Sequence, residues 1–308
     1  MRAQIAVYVV LMALALIAPF LGLYPVFLMK LLCFAMFACA FNLLLGYTKM
    51  LSFGHAAYFG ASAYITGWLI TSHGWGTLAG IVGGVAASML LGLVIGAIAV
   101  RRQGIYFAMI TLALAQLVYF ICLQAQFTGG ENGLQGISRG SLFGVIDLGK
   151  DRTLYYFVLA IFVAVFVFIR RIVHSPFGQI LKAIRANEPR AISLGYKVDR
   201  YKLIAFVLSA SLAGLAGSLK ALVLGFATLS DVSQGTSGEV ILMTLLGGSG
   251  TFLGPVIGAN LVVTLQEYLS GLVGSWVSVI IGGIFVVCVL IFRRGFVGEI
   301  QRRFAQRG

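Results

Sequence analysis

Charged residues are scarce in this 308-residue chain, and their scarcity excludes a water-soluble protein. Only 10% of the residues are charged and 60% are hydrophobic, whereas a soluble domain carries about 25% charged residues. No Asp, Glu, Lys or Arg occurs in the 51 residues from Met50 to Val100. Because a bilayer span requires about 20 apolar residues, the chain is predicted to be a polytopic integral membrane protein.

The alternating apolar segments of about ten residues that are typical of outer-membrane barrels are also lacking. The stretch Ala79–Val100, for example, is apolar on every face. Helices satisfy their own backbone hydrogen bonds in lipid. The sequence therefore predicts an all-α transmembrane helical bundle, with residues 1–308 forming a single transmembrane domain.

Motifs for catalysis or metal binding are missing as well. The sequence has no P-loop, no HExxH motif and no metal-ligand cluster, so no catalytic residue, metal site or cofactor is predicted. The glycine-rich stretch Gly247–Gly254 misses the dinucleotide-binding spacing, because Leu253 stands where the third glycine is needed. The four cysteines lie in apolar stretches without CxxC spacing, which favours a packing role. An intramembrane enzyme therefore fits poorly.

About ten membrane segments follow from the apolar runs. They are Ile5–Leu23, Phe27–Gly46, Leu51–Ile70, Thr77–Val100, Gly104–Phe127, Thr153–Ile169, Leu203–Leu224, a glycine-broken pair across Val240–Gln266, and Trp276–Phe292. The first run follows Arg2 as in a signal peptide, but its length and the hydrophobic chain after it favour a retained span. GxxxG pairs, which allow helices to approach closely, occur at Gly80/Gly84, Gly92/Gly96, Gly250/Gly254 and Gly254/Gly258.

The positions of the basic residues predict the orientation of the chain in the membrane. With the N-terminus inside, 17 of the 22 Lys and Arg residues lie on the cytoplasmic side and only three on the outer side. Both termini are thus predicted to be cytoplasmic, with a basic cytoplasmic tail at 293–308 and a periplasmic loop at 128–152. The pair across Val240–Gln266 must then enter and leave on the outer side, as a re-entrant pair or as two short spans. The orientation in the membrane accounts for the net charge of +13, so this charge does not indicate nucleic-acid binding.

The cytoplasmic loop 170–202 gathers eight of the basic residues and has a helical pattern. Ser175 and Pro176 are typical of a helix start. The apolar residues that follow at helical spacing are Phe177, Ile180, Leu181 and Ile184. Lys182 and Arg185 are predicted to point away from that apolar face.

A second turn is predicted after Pro189, with Gly195 placed to end it and Asp199 placed to cap the next span. Two interpretations of the whole loop remain open from the pattern alone. It is either an amphipathic helix in the lipid headgroups or a rigid two-helix element presented to a cytoplasmic partner.

Polar residues inside the apolar segments are either interhelical contacts or parts of a path for a solute. The candidates for a translocation path are Asn42, Ser52, His55, Thr111, Gln116, Glu239, Gly247 and Gly248. The two glycines interrupt an apolar run, where transporter helices unwind beside a path. Lys220 is predicted either to pair with Glu239 or to extend to the membrane interface.

Four blocks of this sequence resemble, in order, the LivM-type permeases of branched-chain amino-acid ABC importers. They are NLLLGYTKMLSFGHAAYFGASAY (Asn42–Tyr64), TGGENGLQGI (Thr128–Ile137), SPFGQILKAIRANEPRAISLGYKVDRYKLIAFVLSASLAGLAG (Ser175–Gly217) and GEVILMTLLGGSGTFLGPVIGANLV (Gly238–Val262). Two departures are Lys49, where a small residue is common, and Ser249, where Met is frequent.

The resemblance implies a type II ABC importer-like fold with the coupling loop after the sixth of ten segments. It implies ATPase-coupling roles for Ser175, Phe177, Gly178, Lys182, Arg185, Glu188, Arg190 and Gly195. It further implies a multi-pass subunit of the bacterial inner membrane, without enzymatic activity of its own. Its partners would be a LivH-type second permease, two cytoplasmic ABC ATPases, a periplasmic substrate-binding protein and membrane lipid.

The expected function is alternating-access import of branched-chain or related amino acids. The 128–152 loop is then expected to contact the binding protein. The alternative is an ion-coupled secondary transporter of small polar solutes, which requires acidic residues deep within spans. Glu239 and Glu267 lie instead near the predicted ends of membrane segments. In ABC importers of the resembled family, substrate specificity resides largely in the separate binding protein.

Overall fold

The computed structural model describes residues 14–20, 22, 24–142 and 146–291, and these form a bundle of helices. The helices are α1 Pro25–Thr48, α2 His55–His73, α3 Thr77–Ala99, α4 Ile105–Gln124, α5 Asp151–His174, α6 Pro176–Ala186, α7 Glu188–Ser193, α8 Val198–Leu224, α9 Gln234–Gly247, α10 Gly254–Val273 and α11 Val277–Ile291. The predicted first span, Ile5–Leu23, lies largely outside the described residues. The basic tail at 293–308 lies entirely outside them.

Two short antiparallel sheets connect loops at one end of the bundle. The strands are β1 Leu134–Gln135, β2 Ser141–Leu142, β3 Ile146–Asp147 and β4 Phe226–Ala227. β1 pairs with β4, so that Leu134 lies opposite Ala227, while β2 pairs with β3 in a hairpin. The first pairing attaches the 128–152 loop to the chain that follows α8.

Among the described residues, the helices α1, α3, α4, α5 and α8 are long and apolar enough to cross a membrane. The remaining described segments that were predicted from the sequence correspond to α2, α9, α10 and α11. The prediction of Leu51 as the start of its segment is wrong, because α2 begins at His55. Lys49 ends α1 in the left-handed conformation, with φ of 58°, and the chain stays non-helical up to Gly54.

The glycine-broken pair is a helical hairpin of unequal arms. α9 has 14 residues and α10 has 20, and the turn between them contains Gly248 and Gly250, both at positive φ. At 1.5 Å per residue α9 rises about 21 Å, which is shorter than the roughly 30 Å hydrocarbon core of a bilayer. α9 by itself is therefore too short to be a full span.

The core of the bundle surrounds α8, which packs against α1, α2 and α3. Small and hydroxyl-bearing residues allow this close packing. Ser62 of α2 donates to the carbonyl of Gly214 over 2.6 Å, and Thr66 donates to Ser218 over 2.8 Å. Because these hydroxyls are satisfied across the interface, α2 and α8 approach closely without burying unpaired polar groups.

Glycines of α3 supply the facing surface, as the GxxxG spacing predicted. A methyl group at Gly84 would lie 2.1 Å from the Thr66 hydroxyl, and one at Gly92 would lie 2.5 Å from the Ala210 side chain. Gly254 and Gly258 likewise bring α10 against α9. The predicted Gly250/Gly254 pair is not a helical one, because Gly250 lies in the turn.

Replacing Gly217 by Ala is expected to lower the thermal unfolding midpoint of the detergent-solubilised protein. The added methyl would lie 1.9 Å from the carbonyl oxygen of Phe59, so α8 and α2 would have to separate. Gly238→Ala is the matched control, because a methyl there meets no atom within 4 Å. Since Ala stabilises a helix by about 0.5–1 kcal/mol relative to Gly, the control should be neutral or slightly stabilising. Equal midpoints for the two variants would contradict the close approach at Gly217.

Candidate functional site

The loop after α5 folds into the two short helices α6 and α7, as the sequence predicted. The Ser175 hydroxyl accepts from the amide of Gly178 over 3.3 Å and donates to the carbonyl of Ile172 over 2.6 Å. A methyl at Gly178 would lie 2.4 Å from two carbonyls of α5, so glycine permits the sharp reversal between α5 and α6. Asn187 caps α7 by accepting from the amide of Arg190 over 3.1 Å. Gly195, at φ of 86°, follows the end of α7 as predicted.

The apolar face of α6 is covered by protein. Leu181 is fully buried and Ile184 is 3% exposed. Ile184 packs with Ala191 of α7 and Val198 of α8 in a small cluster of its own. Because α6 rests on protein through this face, the structure does not favour the interpretation of an amphipathic helix lying in the headgroups.

Arg185 points toward the bundle, so the prediction that it points away from the packed face is wrong. Its guanidinium donates to the carbonyl of Gly46 at the end of α1 and lies beside Gly250 in the α9–α10 turn. The α1 end lacks an amide donor for that carbonyl, since the last carbonyls of a helix have no partner within it. Arg185 thereby joins α6 to α1 and to the α9–α10 turn.

Asn42 holds the same turn from the opposite side. Its side-chain oxygen accepts from the amide of Gly250 over 2.9 Å, and its side-chain nitrogen donates to the carbonyl of Thr251 over 3.0 Å. Both ends of this amide are thus used in fixing the turn against α1. We call the set Asn42, Gly46, Arg185, Gly250 and Thr251 the junction.

Glu188 connects α7 to two other parts of the bundle. It accepts from Lys202 of α8 over 2.5 Å and from Gln103 in the α3–α4 connection over 2.8 Å. The side chains of Lys202 and Glu188 are 5% and 18% exposed. Asp199 does not cap α8, contrary to the prediction: Lys197 holds the capping position and Asp199 lies in the first turn.

Phe177, Lys182 and Arg190, also predicted to couple to an ATPase, lie outside the junction. Lys182 and Phe177 are half-buried, with the Phe177 ring 5.9 Å from that of Tyr201, and Arg190 is exposed. Beside Arg190 two large apolar side chains of the same element are exposed, Ile192 at 56% and Leu194 at 68%. The sequence pattern did not single out these two side chains.

Six of the eight predicted path residues are buried in this chain, namely Asn42, Ser52, His55, Thr111, Gly247 and Gly248. Asn42 is in the junction, and Ser52 is fully buried just before α2. Thr111 accepts from the amide of Phe53 over 3.3 Å and donates to the carbonyl of Ala108 over 2.9 Å. Thr111 therefore ties the start of α4 to the non-helical chain that precedes α2.

His55, the first residue of α2, is fully buried among aromatic rings. The Ser209 hydroxyl donates to the carbonyl of Ala40 over 2.5 Å, so it accepts from Nε2 of His55 over 2.9 Å. The imidazole centroid lies 5.1 Å from that of Phe41 and 5.4 Å from that of Tyr58. Nδ1 of His55 has no hydrogen-bond partner among the described residues.

Two helices begin at the same height inside the bundle. The amide of Ala56 in the first turn of α2 donates to the Ser237 hydroxyl in the first turn of α9 over 3.0 Å. His55 contacts Ser209, which lies eleven residues after the start of α8, or about 16 Å along its axis. Since α8 is about 40 Å long, α2 and α9 start well inside the bundle.

The buried lysine pairs with a different acid from the one predicted. Lys220 donates to Asp231 over 2.6 and 2.7 Å, and both side chains are less than 10% exposed. Asp231 also accepts from the amide of Thr228, which fixes the short turn after β4. Glu239 instead accepts from Gln266 over 2.9 Å. Of the two predicted alternatives for Lys220, neither names this partner: Lys220 is paired inside the bundle, and with Asp231 instead of Glu239.

Glu267, for which no role was predicted, is also paired. Glu267 of α10 accepts from Lys30 of α1 over 2.8 Å.

Gln116 of α4 is exposed on a face whose other exposed members include Met109, Leu117 and Phe120. Gly247 is buried, and a methyl there would lie 1.9 Å from the carbonyl of Gly254. Gly248 is the buried first residue of the turn.

The 128–152 loop is fixed to three helices, α3, α5 and α8. Arg139 pairs with Asp151 at the start of α5 over 2.5 Å and donates to the carbonyl of Val223 in α8 over 2.9 Å. Thr77 at the start of α3 donates to the carbonyl of Arg139 over 2.8 Å.

Comparison with known proteins agrees with the sequence blocks. A family model described as "Branched-chain amino acid transport system / permease component" matches residues 23–290. The high-affinity branched-chain amino acid transport system permease proteins LivM of Salmonella typhimurium and Escherichia coli are each 28% identical over 81% of this chain. The chain spans 64% of the length of each. The autoinducer 2 import system permease protein LsrC of Yersinia pestis is 26% identical over 79% of this chain and 71% of its own length. No solved structure matches the chain.

Glu188→Ala is expected to lower the free energy of unfolding by about 3 kcal/mol, because it leaves a buried ammonium without a counter-charge. Adding Lys202→Met should recover most of that loss, since a buried pair is often replaceable by apolar residues. Thermal unfolding of the parent, single and double variants in one detergent measures both effects. A double variant no more stable than Glu188→Ala would contradict a direct role of the pair.

Proposed function

Because the chain belongs to the family of permease components of branched-chain amino acid transport systems, we propose that it is the membrane-spanning subunit of an ABC importer. The cargo would be branched-chain or related amino acids, and ATP hydrolysis would take place on separate subunits. The observation that carries this proposal is the α6–α7 element, which is anchored to the bundle through one side and exposes apolar side chains on the other.

The proposed orientation puts α6, α7 and both chain ends in the cytoplasm. Its support is the placement of 17 of the 22 basic residues on that side. In this orientation the α9–α10 turn lies near the cytoplasmic end of α1, while Lys220–Asp231 and β1–β4 lie toward the outer side. The 128–152 loop would then face a periplasmic binding protein.

The surface offered to the ATPases would be formed by Arg190, Ile192 and Leu194. Exposed apolar side chains in a basic, water-facing loop are typical of a protein contact. The two caps and the Glu188–Lys202 pair keep this surface rigid. A rigid element transmits displacement instead of absorbing it.

The junction would carry that displacement into the membrane. When the ATPases move α6, the Arg185 guanidinium pulls on the end of α1 and on the α9–α10 turn together. α9 connects this turn to the first turn of α2 through Ser237. A movement at the cytoplasmic surface thus reaches the level at which α2 and α9 begin.

The path for the solute would pass beside that level, next to the residues predicted from the sequence. Discontinuous helices near mid-membrane are typical of transporter substrate paths. Ser52, His55 and Thr111 are buried within this chain and would shape the wall. The path itself would lie between this chain and a second permease.

The exposed amide of Gln116 supports contact with a second permease around the middle of α4, away from its first turn. An amide facing acyl chains loses its hydrogen bonds, which costs several kcal/mol. Contact with another subunit, or with a water-filled path between the two, removes that cost.

An ion-coupled secondary transporter is not favoured. Within the described helices that lie in the bundle, Glu267 pairs with Lys30, Asp231 pairs with Lys220 and Glu239 is bonded to Gln266. These partners occupy the carboxylates that an ion-driven cycle requires. The relatives are named as permeases of transport and import systems, and LsrC shows that relatives of this chain serve more than one solute class.

Ile192→Glu is expected to abolish retention of ATPase subunits when the complex is purified from membranes, because a buried carboxylate would face an apolar contact. Gln126→Glu adds the same charge at an exposed position at the opposite end of the bundle and should leave retention unchanged. Quantitative gels of the purified complexes measure the ratio of subunits. Full retention in Ile192→Glu, or uptake that ignores ATP depletion and collapses with an ionophore, would contradict the proposed function.

Asn42→Leu is expected to lower solute uptake per ATP hydrolysed by about tenfold while the ATPases stay bound. The substitution frees the α9–α10 turn from α1 and leaves α6 and α7 untouched. A tenfold change corresponds to about 1.4 kcal/mol, which is within the range of one or two buried hydrogen bonds. Asn260→Leu, in α10, is the matched control. Equal coupling ratios for the two variants in proteoliposomes would contradict transmission through the junction.

A further inference from the structure

A cavity of about 560 Å³ opens at the end of the bundle that carries α6 and α7. Its walls come from five places that are far apart in sequence. They are the end of α1 with the chain that follows it, the α3–α4 connection, the first turn of α4, the α6–α7 element and the first turn of α8. Neither the ATPase contact nor the path proposed above fills this cavity.

The charged side chains that line this cavity are mostly basic. Lys49, Arg102, Arg185 and Lys202 line it, and Glu188 is its one acidic lining residue, which leaves a net charge of +3. Lys202 is paired with Glu188, and Arg185 is engaged in the junction. Lys49 and Arg102 are exposed and make no ion pair with any described residue. Two cations are therefore available to an anion that enters.

Much of the remaining lining is apolar. It is formed by Leu51, Phe53, Ile105, Phe107 and Ala108. Ile105 is 71% exposed and its neighbour Tyr106 is 68% exposed, so the rim at the start of α4 is open on the outside of the bundle. A tyrosine beside this rim is typical of the headgroup level of a bilayer. The cavity thus combines a cationic lining with an apolar lining that opens sideways.

We propose that this cavity binds an anionic phospholipid of the cytoplasmic leaflet, with the phosphate between Lys49 and Arg102 and an acyl chain against Phe53 and Phe107. Basic pockets between transmembrane helices on the cytoplasmic side bind anionic headgroups. The volume falls within the range of small-molecule sites of about 300–1,000 Å³ and is larger than a single acidic side chain needs. The assignment rests on the proposed orientation.

Lys49 contributes a second structural observation. Its φ of 58° is in the left-handed region, which is uncommon for a residue with a side chain. That conformation ends α1 and directs the chain along the cavity wall from Met50 to Phe53. The same turn therefore supplies both a cation and part of the apolar wall.

A lipid held here would contact the residues that connect α6 and α7 to the bundle, because Arg185 and Glu188 line the same cavity. The lipid would fill the space between the α6–α7 element and α4. ATP-driven uptake is accordingly expected to depend on anionic lipid in the surrounding bilayer.

The test uses the full chain with its partner subunits, purified in mild detergent and placed in nanodiscs. Native mass spectrometry measures retention of dioleoyl phosphatidylglycerol against dioleoyl phosphatidylcholine. The Lys49→Asn, Arg102→Gln double variant is expected to bind phosphatidylglycerol about twenty-five-fold more weakly, since each cation near an anionic headgroup contributes about fivefold. Asparagine is used because it tolerates the left-handed region.

Arg101→Gln is the matched control, because Arg101 is exposed beside Arg102 but does not line the cavity. It should retain phosphatidylglycerol like the parent, as should Arg102→Lys, which keeps the charge and shows that the site is still folded. Unchanged lipid retention in the double variant would overturn the proposal, as would equal binding of the two lipids. Competition by inorganic phosphate alone at equal strength would indicate a free-anion site instead and would also overturn it.

Loss of ATPase subunits from the double variant with normal phosphatidylglycerol retention would show that the cations hold an acidic segment of a partner, which again overturns the lipid assignment. These outcomes are distinct from failure of the proposed function, because lipid retention is measured without solute or ATP. A chain that carries another solute would still give the expected lipid result.

Discussion

The central helix α8 is the constraint on which the rest of this structure depends. It approaches α2 closely enough that a methyl group at Gly217 would overlap the backbone, and hydroxyl groups of α2 form hydrogen bonds across that contact. Each end of α8 is held by a buried ion pair, Lys202–Glu188 at one end and Lys220–Asp231 at the other. α8 therefore acts as a rigid rod that connects the loops of the two membrane faces.

The junction is a second connection, and it runs beside this rod. The side chains of Arg185 and Asn42 bind backbone carbonyl and amide groups, and through these groups they hold the end of α1 and the α9–α10 turn. Such bonds fix position without depending on the neighbouring side chains. The α6–α7 element, the short helix α9 and the start of α2 are consequently parts of one continuous set of contacts, which suits the function proposed above.

Much of the fold was predictable because lipid imposes strong rules on sequence. The charge-free runs gave the helices, and Ser175, Pro176 and Gly195 gave the caps of the loop, since these residues have few other uses at helix ends. Partners were less predictable. Both Asp231 and Glu239 follow Lys220 in the sequence. Only the path of the chain after β4 places Asp231, and not Glu239, next to the Lys220 ammonium. The predicted orientation of Arg185 was wrong for the same reason. Its partner, Gly46, lies 139 residues away and has no side chain that could indicate the contact.

The sequence by itself determined a helical protein with apolar segments long enough to span a membrane, the approximate limits of most described helices, and the presence of a capped two-helix loop. Each follows from local composition, because burial in lipid and helix capping act over a few neighbouring residues. Tertiary structure alone decided where α2 and α9 begin inside the bundle, which acid neutralises Lys220, and which cations line one cavity. Those features depend on how helices distant in sequence approach one another, and this approach is set by packing around α8.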